Sequence, residues 1–421
     1  MRSGNSKLIR SFILLVFLVI TPLTSSEFNF SGYYKSFFTL LIPKDIVSEG
    51  DYEEIPDLGM YSGKIRLKML YSPAEWISFR AEYELTPTIL DTVALGSFQM
   101  LTGVNPPGYR ITDIPDKLYP GGNDPAGGFY INQNLDRFFT TLSFNFADIY
   151  IGRQVISWGS SYVFNPTDII SPFNFNEIDK EEKRGVDALR VRIPLGTMDE
   201  LDIGYVFGDD PGIENSAFFI RSKFNLFKSD FSLLLLGFRQ NLLLGFDLSG
   251  SLGGAGLRLE TAYILDKVMD KDLPEELKNN YFRLSLGLDY NFNDSIYGYF
   301  EYHFNSPGSL DTDYYLSLYT ENAYSEGSVY LLGKHYISAG ITYQLHPLIP
   351  FSAFAIYNMS DKSIIISPSL EYNISENIYL SFGAFLSAGK GAQFSNIDSL
   401  NLKSEFGSYP NLIFTSFRIY F

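Results

Sequence analysis

Alternating apolar and polar residues recur along most of the chain and predict a series of β-strands. In the stretch 281–292 every second residue is apolar or aromatic, whereas the residues between them are mostly polar. A period of two places the two sets on opposite faces of an extended strand. The stretch 411–421 repeats the pattern and closes the sequence on Phe421.

We predict about eighteen such strands, each near the roughly 9–11 residues of a tilted barrel strand. Their predicted bounds are 28–38, 61–71, 77–86, 134–146, 149–158, 185–194, 201–208, 217–227, 230–240, 242–251, 255–265, 281–292, 295–305, 334–345, 350–359, 363–374, 377–388 and 409–421.

The connections between these strands alternate between short and long. The long ones are 39–60, 87–133, 159–184, 266–280, 306–333 and 389–408. Short periplasmic turns and long extracellular loops are typical of transmembrane barrels, whereas a soluble β-sandwich has no reason to alternate in this way. The predicted fold is therefore all-β, a single transmembrane antiparallel β-barrel over residues 27–421.

The first 26 residues have the pattern of a secretory signal. Lys7 and Arg10 precede the apolar run 11–20, and small residues follow up to Ser26. The run is shorter than the roughly 20 residues of a spanning helix. We expect residues 1–26 to be a signal peptide and the chain to cross the inner membrane.

Composition and charge narrow the function classes. The chain has 30 Tyr, 37 Phe and 35 Gly, which suits a large β-barrel with aromatic girdles. Its net charge of −16 disfavours nucleic acid as a partner. The absence of cysteine excludes disulfides and thiolate metal sites, and we predict neither a metal nor a cofactor.

Sorting the strand residues into two faces predicts a basic lumen. Polar faces must look inward, since a charge on the lipid face costs about 2–4 kcal/mol at mid-membrane. Arg153 would fall on the lipid face by strict alternation, unless a bulge at Gly152 turns it inward. The inward basic set is Lys64, Arg66, Lys68, Arg80, Arg137, Arg153, Arg190, Arg192, Arg221 and Lys223.

Two interpretations of this set are open. The charges could pair across strands, with Glu82 and Glu84 among the partners, and stabilise the wall. They could instead guide anionic or polar solutes, because a guanidinium stays charged and matches a carboxylate or phosphate.

Two segments resemble known barrels. The last strand looks like the closing strand of bacterial outer-membrane β-barrels, a resemblance that implies an assembly signal at Phe421. The stretch 149–176 contains Gly152-Arg153-Gln154, Trp158-Gly159 and Asn165-Pro166-Thr167-Asp168. These residues make it similar to a run in poorly characterised porin-like barrels of Gram-negative-type bacteria, a resemblance that implies a channel-like barrel.

Two long loops are candidates for narrowing the lumen. Pro166 and Pro172 exclude a continuous strand through 159–184, so this loop either folds into the pore or covers the surface. Loop 87–133, rich in Pro and Gly, has the same two alternatives. The constriction candidates are Trp158, Asn165 and Asp168.

The sequence favours a channel. Barrels of this strand number leave an aqueous passage, so we predict a porin-like channel for passive or substrate-selective passage of small polar or anionic solutes. The alternative is a structural, adhesin or export-system barrel that acts through its long loops. The histidines, His303, His335 and His346, have no Ser or Asp at a strand spacing that would assemble a nucleophile and base, so no enzyme is expected.

The predicted partners follow from the fold. They are outer-membrane lipid and lipopolysaccharide, the barrel-assembly machinery and a small solute of unknown identity. Assembly into a homo-trimer is left open.

Overall fold

The computed structural model describes residues 26–48, 51–53, 55–91, 108–121, 128–173, 175–210, 212–394 and 400–421. The predicted signal peptide lies outside these residues except for Ser26, and so do parts of the predicted loop 87–133.

Nineteen of the described strands form one antiparallel sheet, in which eighteen make a closed barrel and one, Lys117–Tyr119, is a three-residue addition beside the fourth. The final strand pairs with both the first and the seventeenth, which closes the ring. The predicted eighteen-stranded barrel is thereby confirmed.

The barrel strands, numbered here in chain order, are β1 (Glu27–Ile42), β2 (Leu58–Ala74), β3 (Ile77–Leu90), β4 (Phe129–Phe144), β5 (Ala147–Gln154), β6 (Val186–Pro194), β7 (Glu200–Val206), β8 (Ala217–Leu226), β9 (Ser229–Phe238), β10 (Asn241–Leu252), β11 (Ala255–Leu265), β12 (Tyr281–Asn293), β13 (Ile296–Asn305), β14 (His335–His346), β15 (Ile349–Asn358), β16 (Ser363–Ser375), β17 (Ile378–Ala388) and β18 (Asn411–Tyr420).

The two ends of the barrel differ in their connections. At one end every connection is a short turn, such as 75–76 between β2 and β3. At the other end most connections are long, although 239–240 and 359–362 are tight. The long connections are 43–57, 91–128, 155–185, 207–216, 266–280, 306–334 and 389–410.

One predicted strand is too long. The strand predicted over 149–158 ends at Gln154, and the chain then turns into the barrel. The alternation continues past Gln154 because Ile156 and Trp158 are both apolar, but these two side chains are buried in an internal cluster. Apolar burial inside the lumen, and not sheet pairing, accounts for the pattern there.

Short elements fold over the long-loop end. A small sheet combines Ile46–Ser48, Asp51–Glu53, Ala392–Phe394 and Leu400–Leu402. The helices among the described residues are the 3₁₀ turns Glu275–Leu277, Thr312–Tyr314 and Phe406–Ser408 and the single α-turns Tyr315–Leu318 and Asn322–Ser325. No helix in the described part of the chain is long and apolar enough to span a membrane.

A buried carboxylate ties these loops together. Glu405 accepts hydrogen bonds from the Tyr336 hydroxyl, from Asn358 Nδ2 at 2.9 Å and from the amide of Leu332 at 3.2 Å. Burial raises the pKa of Glu405 to about 7. The loop 389–410 is therefore held to β14 and β15 by hydrogen bonds to a single acidic group.

The two faces of the wall differ as the alternation predicts. In β2, Ile65, Leu67 and Met69 are exposed on the outside, whereas Arg66 between them is only 1% exposed. The same contrast recurs in β12, where Leu286 is exposed and Ser285 is buried. In these strands the outer face is thus apolar and the inner face polar, the arrangement that a lipid environment stabilises.

Gly32 lies at the closure of the barrel. Its amide donates to the carbonyl oxygen of Phe421 at 2.8 Å, and the Phe421 amide donates back at 3.0 Å. A Cβ at position 32 would lie 2.4 Å from the carbonyl oxygen of Arg66 and 2.9 Å from the Phe421 ring. The predicted role of Phe421 as an assembly signal remains a prediction, but its backbone does complete the pairing of β1.

We expect Gly32→Val to destabilise the folded barrel by about 1–3 kcal/mol, because the added methyl groups overpack the closure. The measurement is the urea midpoint, together with the fraction of heat-modifiable barrel on unheated gels. Gly59→Val, also in a strand of the wall, is the matched control, since nothing lies within 4 Å of a Cβ there. Equal stability of the two variants would contradict the closure geometry.

Candidate functional site

A long connection crosses the inside of the barrel. Residues 155–185, here called the inserted segment, join β5 to β6 and bond to inward side chains of β10–β13. They also bond to inward side chains of β1, β2 and β18. In the closed ring β2 and β11 are nine strands apart, which is half the circumference. The inserted segment therefore spans the lumen. Of the two alternatives for loop 159–184, folding into the pore or covering the surface, the structure has the first.

Glu260 of β11 anchors the first turn of the inserted segment. The carboxylate is fully buried and accepts the amides of Ser160 and Ser161, each at 3.2 Å. It also accepts the amide of Thr167 at 2.8 Å. Gly159, with φ of +101°, passes so close that a Cβ there would lie 2.8 Å from both carboxylate oxygens. A glycine is required at this position for both reasons.

Glu301 of β13 anchors the next residues in the same way. Its carboxylate accepts the amides of Tyr162 at 2.6 Å, Val163 at 3.3 Å and Phe164 at 3.0 Å. The carbonyl oxygen of Phe164 accepts from Ser285 of β12 at 2.6 Å. One wall of the barrel therefore binds the backbone of the segment, and the side chains of Ser160 and Thr167 add hydrogen bonds to Asp247 and Glu260.

The opposite wall binds the segment through charge. Asp179, Glu181 and Glu182, here called the acidic tip, face basic residues of β1, β2 and β18. Asp179 pairs with Lys35 at 2.8 Å and with Lys64 at 2.9 Å.

The other two acidic groups of the tip extend these contacts. Glu181 pairs with Lys35 at 2.8 Å and with Arg418 at 3.0 Å. Glu182 pairs with Lys68 at 2.5 Å. The two ends of the segment are thus held by opposite walls.

The predicted basic residues of β2–β5 all have carboxylate partners. Arg66 pairs with Glu82 at 2.6 Å and with Asp136 at 2.5 Å. Arg137 also pairs with Asp136, and Arg80 pairs with Glu82 at 2.5 Å. Together with Lys64 and Lys68, these residues form a neutralised wall and not a free basic surface.

Arg153 faces inward without the bulge that the sequence suggested. The register of β4 and β5 runs without a shift past Gly152, whose φ of +118° turns the chain instead. The guanidinium of Arg153 then reaches Asp187 at 2.8 Å and Asp113 at 2.7 Å. Asp113 belongs to the predicted loop 87–133, so part of that loop also contacts groups of the interior.

The remaining predicted basic residues line a cavity of about 400 Å³ between the inserted segment and β6–β10. Arg190 binds Asp202 through two hydrogen bonds, at 2.8 and 2.6 Å. Arg192 pairs with Glu200, and Lys223 pairs with Asp230 at 3.0 Å. Arg221 donates to the Ser232 hydroxyl at 2.8 Å. Among the described residues, Arg221 is the one of these four cations without a carboxylate within 4.0 Å.

The three constriction candidates all lie in the inserted segment. Trp158 packs edge-on against Phe219, with ring centroids 4.7 Å apart, and borders the 400 Å³ cavity. Asn165 and Asp168 border a second cavity, of about 140 Å³, on the other side of the segment. Burial raises the pKa of Asp168, and the ammonium group of Lys183 beside it offsets part of that rise.

A serine does lie beside a histidine, contrary to the sequence expectation. Ser285 Oγ and His303 Nδ1 are 2.8 Å apart across the β12–β13 pair. Because Ser285 donates its proton to the carbonyl oxygen of Phe164, the histidine nitrogen is the donor in this contact. The pair holds the segment in place and does not activate the hydroxyl as a nucleophile.

Several residues of the site were not predicted. Lys35 is missing from the predicted inward set, and no role was predicted for Asp179, Glu181 or Glu182. The sequence offers two signals for these residues. One is a positive residue on β1 between Tyr33 and Phe37, and the other is the group of acidic residues after Pro172.

Comparison with known proteins gives the fold. No protein-family model and no curated protein matches the sequence. OccAB3 of Acinetobacter baumannii matches with a TM-score of 0.57 and 10% identity, over 95% of this chain and 100% of that one. The outer membrane protein OpdK of Pseudomonas aeruginosa matches with a TM-score of 0.52 and 8% identity, over 93% of this chain and 99% of that one.

A third structure adds a bound solute. OccK2 (OpdF) of Pseudomonas aeruginosa, solved in complex with glucuronate, matches with a TM-score of 0.53 and 8% identity, over 94% and 98% of the two chains. OpdK has also been solved with vanillate. At these identities the likeness establishes a shared fold.

Glu301→Ala should loosen residues 162–164, because three backbone amides lose their acceptor at a cost of about 1–3 kcal/mol. The measurement is hydrogen exchange of a peptide that contains these residues, which should become faster than in the unchanged protein. Glu301→Gln keeps one acceptor oxygen and should have a smaller effect. Glu376→Ala, in an exposed turn, is the control. Unchanged exchange in Glu301→Ala would exclude the anchoring role.

The acidic tip should dock more weakly at low pH. Burial would raise the pKa of Asp179, but Lys64 and Lys35 outweigh it and hold that pKa below its ordinary value. Burial is likewise outweighed at Glu181, whose pKa is lowered by hydrogen bonds from Lys35 and Tyr420. Carboxylates with lowered pKa values stabilise docking above their unfolded pKa, and this stabilisation is lost as the pH falls through the folded value.

Footprinting with hydroxyl radicals should therefore show residues 177–183 protected at neutral pH and increasingly exposed below about pH 4. Asp179→Asn should show part of this exposure already at neutral pH. Protection that does not change with pH would contradict the electrostatic docking.

Proposed function

We propose that the chain forms a porin-like channel in the bacterial outer membrane for passive or substrate-selective passage of small polar or anionic solutes. The observation that carries the proposal is the polar cavity of about 400 Å³ inside a closed barrel. Barrels of this strand number are wide enough for an aqueous passage. A segment that crosses such a lumen narrows it without filling it.

The exterior supports a membrane location. Apolar side chains such as Leu67, Leu288 and Phe382 are exposed on the outer face of strands far apart in the ring. Exposed apolar surface on this scale is unfavourable in water and favourable in lipid. The similar OpdK structure is an outer membrane protein, which agrees with this placement.

The lining of the cavity supports a preference for anions. Four cationic side chains face it, against the three carboxylates of Glu200, Asp230 and Asp247, while Asp202, which does not line the cavity, pairs with Arg190. The Asp247 carboxylate is already bound by the amide of Ser160 at 3.1 Å and by its hydroxyl group. The cation of Arg221 is left to act on a passing solute, so the expected preference is mild. Glucuronate and vanillate, bound in similar barrels, are both anionic.

Purified protein in planar bilayers should conduct, with mild anion selectivity in reversal-potential measurements at about 0.1 M salt or below, where screening is weak. Arg190→Gln with Arg192→Gln should shift the selectivity to neutral or towards cations, because Asp202 and Glu200 then lose their partners. Arg221→Gln should also reduce anion selectivity, although it leaves no carboxylate unpaired.

Lys271→Gln, at an exposed position in the loop 266–280, is the matched control and should leave selectivity unchanged. If the protein is cation-selective and none of these substitutions changes that selectivity, the cavity does not determine it. A protein that inserts but does not conduct would overturn the channel and favour a structural, adhesin or export-system barrel.

A further inference from the structure

The acidic tip occupies positions that an anionic solute would otherwise take. Lys35, whose side chain is fully buried, contacts only carboxylates of the tip among the described ion pairs. Lys68 likewise pairs only with Glu182 in the part of the chain that the structure describes. Two cations of the wall thus depend on the inserted segment for their counter-charge.

The other cations of this wall keep partners of their own. Without the tip, Lys64 would retain only Glu84, at 3.9 Å. Arg418 would retain Glu371. The strands alone therefore leave the wall with an excess of positive charge, and the tip supplies the negative charge that balances it.

The more exposed contacts of the tip are also exchangeable. The side chain of Glu181 is 38% exposed, and those of Lys64 and Lys68 are each 26% exposed. Water and ions reach these pairs, so each contributes little to stability and can be replaced. The pair of Lys35 and Asp179, which are 0% and 12% exposed, instead needs another anion to take the place of the carboxylate. The pair of Arg66 and Glu82, by contrast, is closed to solvent.

We propose that the acidic tip is an internal ligand of the basic wall formed by Lys35, Lys64, Lys68 and Arg418, and that solutes carrying two or more closely spaced anionic groups displace it. Displacement moves the tip away from β1, β2 and β18 and enlarges the free lumen. The remainder of the segment stays in place, since its backbone is anchored to β11 and β13. The inference rests on the proposed channel only for its effect on conductance.

The first test removes the negative charges of the tip. We expect the variant Asp179→Asn, Glu181→Gln, Glu182→Gln to have a conductance about twofold or more above the unchanged protein and a stronger preference for anions, because the wall regains its excess positive charge. The matched control neutralises three exposed acids of the loop 207–216, with Asp209→Asn, Asp210→Asn and Glu214→Gln. Equal conductance and selectivity in both variants would overturn the proposal.

The second test needs no conductance. The natural chain has no cysteine, so Ile178→Cys introduces a single thiol beside the tip, at a side chain that packs against the interior. Neutralising the tip should speed reaction of this thiol with a small uncharged reagent on the order of tenfold, the effect of several partly exposed ion pairs on docking. Pyrophosphate should also speed the thiol reaction in the protein that carries only Ile178→Cys, relative to sodium chloride of equal ionic strength.

The two tests separate the inference from the proposed channel. Pyrophosphate should have no further effect once the tip is neutralised. A rate that responds to neutralisation but not to pyrophosphate would overturn displacement by solutes. A rate that responds to both, in a protein that does not conduct, would retain the internal ligand and discard the channel.

Discussion

A charge enclosed by a barrel wall requires a counter-charge, and the interior of this protein is organised by that requirement. Removing one partner of a buried ion pair typically costs about 3–5 kcal/mol. An extra residue in β4, opposite the step from Glu82 to Tyr83, brings Asp136 and Arg137 into the interior together. Asp136 then lies beside Arg66. In a regular strand, either Asp136 or Arg137 would point to the outside. The inserted segment supplies the carboxylates that the strands do not.

The strands and their two faces could be predicted from the sequence because a period of two is a local signal. Strand number depends on the same signal, and the narrow length range of barrel strands limits the alternatives. The strand that was predicted too long, at Val155 to Trp158, shows the limit of this reasoning. Apolar alternation there reflects burial against Phe219 and not a place in the sheet.

The partners of the interior charges could not be predicted in the same way. Lys35 and Asp179 are 144 residues apart, and their contact depends on the path of the inserted segment through the lumen. Ser285 and His303 are cross-strand neighbours whose proximity depends on the register of β12 and β13. Neither the register of two strands nor the path of a loop can be deduced from the spacing of apolar residues within one strand. The inward basic residues were identified, and pairing across strands was one of the two interpretations, but the partners that the inserted segment supplies were not identified.

The likeness to barrels of 8–10% identity follows from the same physics. A closed sheet of a given strand number requires alternating polarity and suitable turns, and many sequences meet those conditions. Residue identity matters far more at the few positions where a side chain meets a particular partner. Fold is therefore shared at a level of identity where the interior chemistry need not be.

The anchoring of the segment by Glu260 and Glu301 has a consequence for how such a protein can evolve. The two carboxylates bind main-chain amides, which every residue except proline carries. Ser160, Tyr162 and Phe164 also make side-chain contacts, so exchange over generations that preserves the path of the segment is freest at Ser161 and Val163. A lineage could alter the lining of its passage by ordinary point substitutions, provided that Gly159 and the two glutamates are retained.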